Sequence, residues 1–205
     1  MTDYPAIMSA AMVRAMLREV QEPGTGKTMT RRLAWTGRKA ADGEGFRPSP
    51  WQRVTAGDRI YVREKLTRSG GLIQYAADTK TTHRAWPASW KQDPRPSIHM
   101  HRGMSRLTLH VTNTKIERLQ DITEADAAAE GISTIERSLI RHGRLNGYGL
   151  AGITPPEEAH ATRVNAFRAL WVSLHGADSW NANTWVVAVS FHPVLANIDS
   201  VKEVA

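Results

Sequence analysis

The clearest pattern in the chain is the alternation of apolar and polar residues, which predicts several β-strands. Residues 59–63 are β-forming residues that follow a glycine-aspartate turn signal. Residues 105–116 alternate regularly, as expected for an antiparallel strand with one face in the core. Residues 73–76 predict a shorter strand. Residues 185–191 are apolar on both faces, which predicts a fully buried strand with Trp185 in the core.

Helical spacing and capping residues predict three helices. Residues 8–18 repeat methionine and alanine at helical spacing, and Ser9 can cap their first turn. Thr123 begins a capping box, which predicts a short helix that ends at Gly131. A longer helix is predicted to begin at Thr154, because the next residue is a proline and a glutamate completes a second capping box.

Two stretches, residues 36–56 and 133–153, show no periodicity and are predicted to be irregular surface excursions. Trp35 and Trp51 lie in or beside the first of them, and the pattern does not place them. Short strands mixed with a few helices, without a β-α-β rhythm, favour an α+β fold built on a small, mostly antiparallel barrel or a strongly bent sheet. The length fits a single domain over residues 1–205.

Composition narrows the functional classes. The chain has no cysteine, which excludes disulfides and thiolate metal sites. Lysine and arginine number 27 against 20 acidic residues, so the net charge is +7, which fits either contact with a polyanion such as RNA or a merely basic surface. No apolar run reaches the length of a membrane span, and the first residues lack the features of a signal peptide. We therefore expect a cytoplasmic protein without a membrane partner.

A glycine-rich stretch at residues 23–28, PGTGKT, looks at first like a phosphate-binding loop. The spacing of that motif requires glycine at position 21, where this chain has Gln21. The motif also follows a buried strand, whereas residues 8–18 predict a helix. The sequence therefore does not favour a nucleoside triphosphate site. His99 and His101 offer two imidazoles, but no carboxylate or cysteine pattern accompanies them, so phosphate contact or surface exposure is favoured over a metal site.

Three motifs occur in order: KTMTRR at 27–32, GDRIYVRE at 57–64 and LQDIT at 119–123. With them the chain, from about residue 8 to 191, resembles the ASCH domain family, most closely its phage and prophage branch. That family has a β-barrel similar to the PUA domains of RNA-modifying enzymes. The resemblance implies a PUA-like barrel with a few flanking helices.

The family contains known or presumed RNA binders and a bacterial subgroup that hydrolyses the acyl amide of N4-acetylcytidine. Lys27, Thr30 and Glu130 match the catalytic positions of that subgroup. The resemblance thus implies an amidohydrolase acting on acylated cytosine nucleosides, with no metal or other cofactor. The residues that we expect to bind the substrate are Arg31, Arg32, Arg63, Glu64, His99 and Arg106. The alternative is a non-catalytic RNA-binding module that uses the same basic cleft.

The chemistry of such a site sets conditions on these residues. Thr30 is the expected nucleophile, so Lys27 must be desolvated or close to other cations to act as its neutral base. Glu130 would hold the lysine and pass a proton to the departing nitrogen, or in a second version would activate water directly. Residues three apart lie on opposite faces of a regular strand, so the chain between Lys27 and Thr30 must contain a turn or a bulge.

Overall fold

The computed structural model describes residues 1–39, 46–139 and 143–201. In chain order the strands are β1 (Asp3–Ile7), β2 (Met29–Leu33), β3 (Trp35–Lys39), β4 (Phe46–Pro48), β5 (Arg59–Arg63), β6 (Leu66–Ser69), β7 (Leu72–Tyr75), β8 (Thr81–Ala85), β9 (Thr108–Arg118), β10 (Ile132–Leu139), β11 (Gly143–Leu150) and β12 (Trp185–Val194). The α-helices are α1 (Ala10–Gln21), α2 (Glu124–Ala129) and α3 (Arg163–His175), and short 3-10 turns join several of these elements.

The main sheet has five strands in the order β1-β5-β9-β12-β2. The pair β1-β5 is parallel and the other three pairs are antiparallel. Three small antiparallel sheets, β3-β4, β6-β7-β8 and β10-β11, surround it. This arrangement confirms the predicted α+β class with mostly antiparallel strands and few helices. No helix among the described residues is long and apolar enough to cross a membrane.

The sheet and the helices enclose two apolar cores. The larger core packs α1 against β5, β9 and β12, and Val13, Met16 and Leu109 are fully buried in it. The second core packs α3 against α2 and β12, with Phe167 and Trp171 at its centre. The chain leaving α1 meets the end of α2, since Thr28 N–H donates to Ala129 O at 2.8 Å, and the candidate site forms there.

The strands of the described residues do not close into the predicted barrel. β1 and β2 are the two edges of the main sheet and do not pair with each other. A side chain bridges them instead, since Arg32 Nη2 donates to the main-chain oxygen of Ile7 at 2.9 Å. The chain that enters β2 pairs with α1, because Lys27 N–H donates to Ala15 O at 3.1 Å.

Three further expectations need correction. The long helix begins after Thr162 and not at Thr154, and Pro156–Glu158 forms only a 3-10 turn. The supposed irregular stretches contain β3, β4, β10 and β11, while residues 40–45 and 140–142 lie outside the described residues. Trp185 is 42% exposed and not in the core, because it is the first residue of β12. One face of its ring contacts the guanidinium of Arg118. The rest of that strand is buried on both faces from Val186 to Val189, as predicted.

Candidate active site

A buried ion pair joins Lys27 to Glu130. Lys27 Nζ lies 2.5 Å from Glu130 Oε2 and donates a second hydrogen bond to the main-chain oxygen of Glu130 at 2.9 Å. The exposed fractions of the two side chains are 0% and 3%. Lys27 lies in the glycine-rich stretch, directly after Gly26, and Glu130 is the C-cap residue of α2. Two charges at this depth are costly to bury unless each is paired, and here they pair with each other.

Two glycines allow the chain to approach closely at this pair. A Cβ atom on Gly26 would lie 2.2 Å from Ala15 O, so only glycine fits between α1 and Lys27. Gly131 adopts φ +97°, the left-handed conformation that ends α2, and a Cβ atom there would lie 3.3 Å from Lys27 Cβ. These contacts fix the positions of the residues that carry the ammonium and the carboxylate.

Arg31 supplies the second cation of the cluster. Its side chain is fully buried, and its Nη1 lies 3.4 Å from the remaining oxygen of Glu130. Its Nη2 lies 2.7 Å from Glu117 Oε1 and 2.9 Å from Asp126 Oδ2. Arg31 therefore joins β2 to β9 and α2, and it holds the orientation of the Glu130 carboxylate. Lys115, at the surface, pairs with the same two outer carboxylates.

The environment of Lys27 shifts its proton affinity in the direction that a base requires. Burial is the largest effect and lowers the pKa of Lys27 below its ordinary value. Glu130 opposes this shift, while Arg32 and Arg31 add to it. The balance is a lowered pKa, so the neutral amine is more accessible than it would be on the surface.

A cavity of about 350 Å³ opens beside this cluster, within the usual range of small-molecule sites. Thr30, Arg31, Arg32 and Glu130 line one part of it. Thr30 is 2% exposed, and its hydroxyl forms no hydrogen bond with any part of the chain that the structure describes. The remaining walls are mostly apolar and aromatic; they include Met12, Trp35, Trp51, Phe167, Leu170, Trp171 and Leu174.

Aromatic contacts orient two further polar groups of the cavity. The guanidinium of Arg32 lies over the ring of Trp51, 5.2 Å from its centroid. The imidazole of His175 lies 4.2 Å from Trp171 between centroids, with the planes tilted by 31°. Burial and the charge of Arg32 lower the pKa of His175, so its neutral form is favoured at neutral pH.

The turn or bulge predicted between Lys27 and Thr30 does not appear, since the residues there form no turn and the pairing of β2 with β12 has no register shift. Strand β2 begins at Met29. The main chain of Thr28, just before it, forms hydrogen bonds with two different elements. Its N–H donates to Ala129 O at 2.8 Å, and its oxygen accepts from Phe191 N–H at 2.8 Å. Thr30 and Glu130 line the same cavity, whereas Lys27 does not line it and is connected to it only through Glu130.

The structure does not bring the other predicted substrate-binding residues into this cavity. Arg106 makes a bidentate pair with the buried Glu64, at 2.8 and 2.9 Å. Arg63 donates to the main-chain oxygen of Ile98, and His99 is exposed. None of these four lines the cavity. Of the six predicted binding residues, only Arg31 and Arg32 do.

The glycine-rich stretch does not form a phosphate cradle. The Glu19 carboxylate accepts hydrogen bonds from Gly24 N–H, at 3.0 and 3.1 Å, and from Gly26 N–H at 2.8 Å. The main-chain donors that would bind a phosphate thus already bind a carboxylate.

Within the described residues, no group of three His, Asp or Glu side chains is arranged to hold a metal ion.

Sequence reasoning missed several residues of the site. Glu117 and Asp126 bind Arg31, yet they lie 86 and 95 residues from it in the chain. The sequence does not assign Trp51 or His175 to a site, because nothing in the local pattern brings them to β2.

Comparison of the chain with protein-family models, curated proteins and solved structures found no match. The geometry therefore carries the functional argument.

Proposed function

We propose that this protein is an amidohydrolase that removes the acyl group from N4-acylated cytosine nucleosides such as N4-acetylcytidine. Thr30 is the nucleophile, Lys27 the base and Glu130 the proton shuttle. The proposed reaction is the one that the resemblance to the ASCH amidohydrolases implies, and it needs no metal ion.

One observation carries the proposal: a fully buried lysine bonds a buried glutamate, which lines a cavity together with a threonine hydroxyl. A surface lysine keeps its proton to about pH 10 and is a poor base at neutral pH. Burial of Lys27 reduces this disadvantage by lowering its pKa. A lysine of lowered pKa, paired with a carboxylate that shares a cavity with a hydroxyl, is one arrangement that can activate a nucleophile.

The first half of the reaction forms an ester on Thr30. The Thr30 hydroxyl attacks the acyl carbon, and its proton passes to the neutral amine of Lys27 through the Glu130 carboxylate. The tetrahedral intermediate then breaks its carbon–N4 bond. The Lys27 ammonium returns the proton through Glu130 to N4, so cytidine leaves with its exocyclic amine.

The second half of the reaction restores the enzyme. Water attacks the ester carbon of acyl-Thr30 and gives one proton to Lys27 by the same route. The ester bond breaks, Thr30 recovers its hydroxyl proton from Lys27, and the carboxylic acid leaves. Arg31 keeps the Glu130 carboxylate oriented through both halves, because it binds the oxygen that Lys27 does not.

The cavity suits a flat, largely uncharged ring. Its walls combine the indoles of Trp35, Trp51 and Trp171 with the ring of Phe167. Aromatic side chains bind planar ligands through offset stacking and edge contacts. Thr30 and Glu130 are among the few polar groups of the lining, and they would orient the amide of the substrate.

The direct test is hydrolysis of N4-acetylcytidine, followed by the change in ultraviolet absorbance as cytidine appears. We expect turnover by the wild-type protein and a large loss in Thr30→Val, which keeps the shape of the side chain without the hydroxyl. Lys27→Ala is the second control. Equal turnover in wild type and Thr30→Val would remove the nucleophile role and leave the version in which Glu130 activates water.

A further inference from the structure

The positive charge of the chain is concentrated in one segment. Residues 63–106 contain nine lysines and arginines but three acidic residues, so the segment carries a net charge of +6 out of the +7 of the whole chain. In the structure these residues form the small sheet β6-β7-β8 and the turns that lead to β9. Their own apolar core contains Leu66, Ile73 and Met100. The basic segment thus has a small sheet and an apolar cluster of its own.

The acidic residues of this basic segment do not neutralise its surface. Glu64 and Asp78 both bind Arg106, at 2.8 and 2.7 Å, and Asp93 accepts a main-chain N–H. Five exposed cations of the segment form no ion pair with any carboxylate of the described residues: Lys65, Arg68, Lys80, Arg84 and Lys91. Their charges are therefore free to attract an anionic partner.

Aromatic rings are interleaved with these cations. Trp86 and Trp90 meet edge to face, with centroids 5.1 Å apart, and both are partly exposed. The guanidinium of Arg95 lies 4.2 Å from the centroid of Trp90. Arg84 lies two residues before Trp86 in the chain, and Lys91 directly follows Trp90. Exposed aromatic planes combined with cations match the requirements of unpaired bases on a phosphate backbone.

This basic segment is separate from the candidate active site. No residue between 63 and 106 lines the cavity beside Thr30. The two cations that do line it, Arg31 and Arg32, are turned to internal contacts: Arg31 binds three carboxylates, and Arg32 binds Ile7 O and covers Trp51. A polyanion would therefore bind the segment and not the cavity.

We propose that the basic segment 63–106 binds single-stranded nucleic acid, with its free cations on the phosphates and the Trp86-Trp90-Arg95 group stacked on bases. Binding in this way depends on salt, because each neutralised phosphate releases a counterion. It also discriminates against duplexes, whose bases are already stacked. This surface works independently of the proposed hydrolysis.

The test measures the affinity of the full chain for a fluorescent oligouridine by anisotropy at several salt concentrations. We expect Arg68→Gln/Arg84→Gln/Lys91→Gln to make the slope of log affinity against log salt shallower by about 2, since each phosphate contact contributes about 0.7. The matched control is Arg47→Gln/Arg53→Gln/Arg168→Gln, which removes three exposed arginines elsewhere and should bind as wild type. Equal losses in both triple variants would overturn the assignment to the segment.

Separate arms test the aromatic contribution and the class of partner. Trp90→Ala should weaken binding about tenfold, while Trp90→Phe, which keeps a ring in the same core, should bind within about threefold of wild type. Single-stranded RNA and DNA should both bind more tightly than a duplex of equal length. Equal affinity for duplex or heparin, or tighter binding to anionic phospholipid vesicles, would overturn the proposal. Both triple variants should still hydrolyse N4-acetylcytidine as wild type does, so failure here is distinct from failure of the proposed activity.

Discussion

Lys27 Nζ lies 2.5 Å from Glu130 Oε2, and neither side chain is more than 3% exposed. The pair joins the start of β2 to the end of α2, two parts of the chain that are 103 residues apart. Because both charges are buried, each is stabilised by its pairing with the other, and removing one leaves the other without that partner. The predictions below follow from this pair and its immediate neighbours.

The first prediction concerns stability. Removing one partner of a buried ion pair leaves an uncompensated charge, which typically costs about 3–5 kcal/mol. We therefore expect Glu130→Gln and Lys27→Met each to lower the free energy of unfolding by that order, as measured by urea denaturation. The double variant Lys27→Met/Glu130→Leu should lose less than the sum, since it removes both charges of the pair together and Arg31 keeps Glu117 and Asp126 as partners.

Lys115→Gln is the matched control for that experiment. Lys115 is 42% exposed and pairs with Glu117 and Asp126 at the rim of the same cluster. Surface pairs contribute about 0–1 kcal/mol, so this substitution should change stability little. If Glu130→Gln were as mild as Lys115→Gln, the buried pair would not stabilise the fold in the way described.

The second prediction separates the geometry of Arg31 from its charge. Arg31 binds Glu130, Glu117 and Asp126 at once, which the single ammonium of a lysine cannot do. Arg31→Lys should therefore fold with about 2 kcal/mol less stability and hydrolyse N4-acetylcytidine at least about tenfold more slowly, because the Glu130 carboxylate is no longer held. Full activity in Arg31→Lys would show that charge alone suffices.

The third prediction tests the close approach at Gly26. An alanine there would place Cβ 2.2 Å from Ala15 O, so α1 and Lys27 must move apart. We expect Gly26→Ala to cost about 1–3 kcal/mol in thermal or urea unfolding and to reduce hydrolysis strongly. Gly103→Ala, which has open space around the added atom, is the matched control and should be neutral. Wild-type behaviour of Gly26→Ala would contradict the packing described.

Local sequence was sufficient for several elements of the fold. Ser9 caps α1, and Thr123 with Asp126 forms the capping box of α2, as predicted, because these contacts span three residues. The predicted start of α3, at Thr154, was wrong for a physical reason. Two threonines could cap it, and Thr162 is used because the carboxylate of Glu124, about 40 residues away, accepts the first two N–H groups of the helix. Such distant partners leave no local signal.

For the candidate site too, the sequence predicted some features and missed others. The lowered pKa of Lys27 and its contact with Glu130 agree with the sequence hypothesis. The predicted binding role of Arg63 and Arg106 came from the clusters of arginine in the sequence and from the family resemblance. In the structure Arg106 binds Glu64, and Arg63 binds the main-chain oxygen of Ile98. Charge composition thus allowed for contact with a polyanion, but it did not show that the basic segment 63–106 lies apart from the cavity.

The fourth prediction concerns metal independence. Since the proposed mechanism routes every proton through Lys27 and Glu130, hydrolysis of N4-acetylcytidine should be unchanged after dialysis against EDTA. The assay compares treated and untreated protein at the same concentration. Loss of turnover on chelation, with recovery on adding zinc, would refute this mechanism and require a metal-bound water as nucleophile.

The central claim is that Lys27 acts as a base, and the pH dependence of N4-acetylcytidine hydrolysis tests it most directly. Burial lowers the pKa of Lys27, so the fraction of neutral amine, and with it kcat/KM, should rise with pH and level off above an apparent pKa below that of free lysine. Lys27→Arg keeps the positive charge but cannot lose its proton, so it should be nearly inactive across the same range. Substantial activity in Lys27→Arg, with an unchanged pH profile, would contradict the account and transfer the role of base to Glu130.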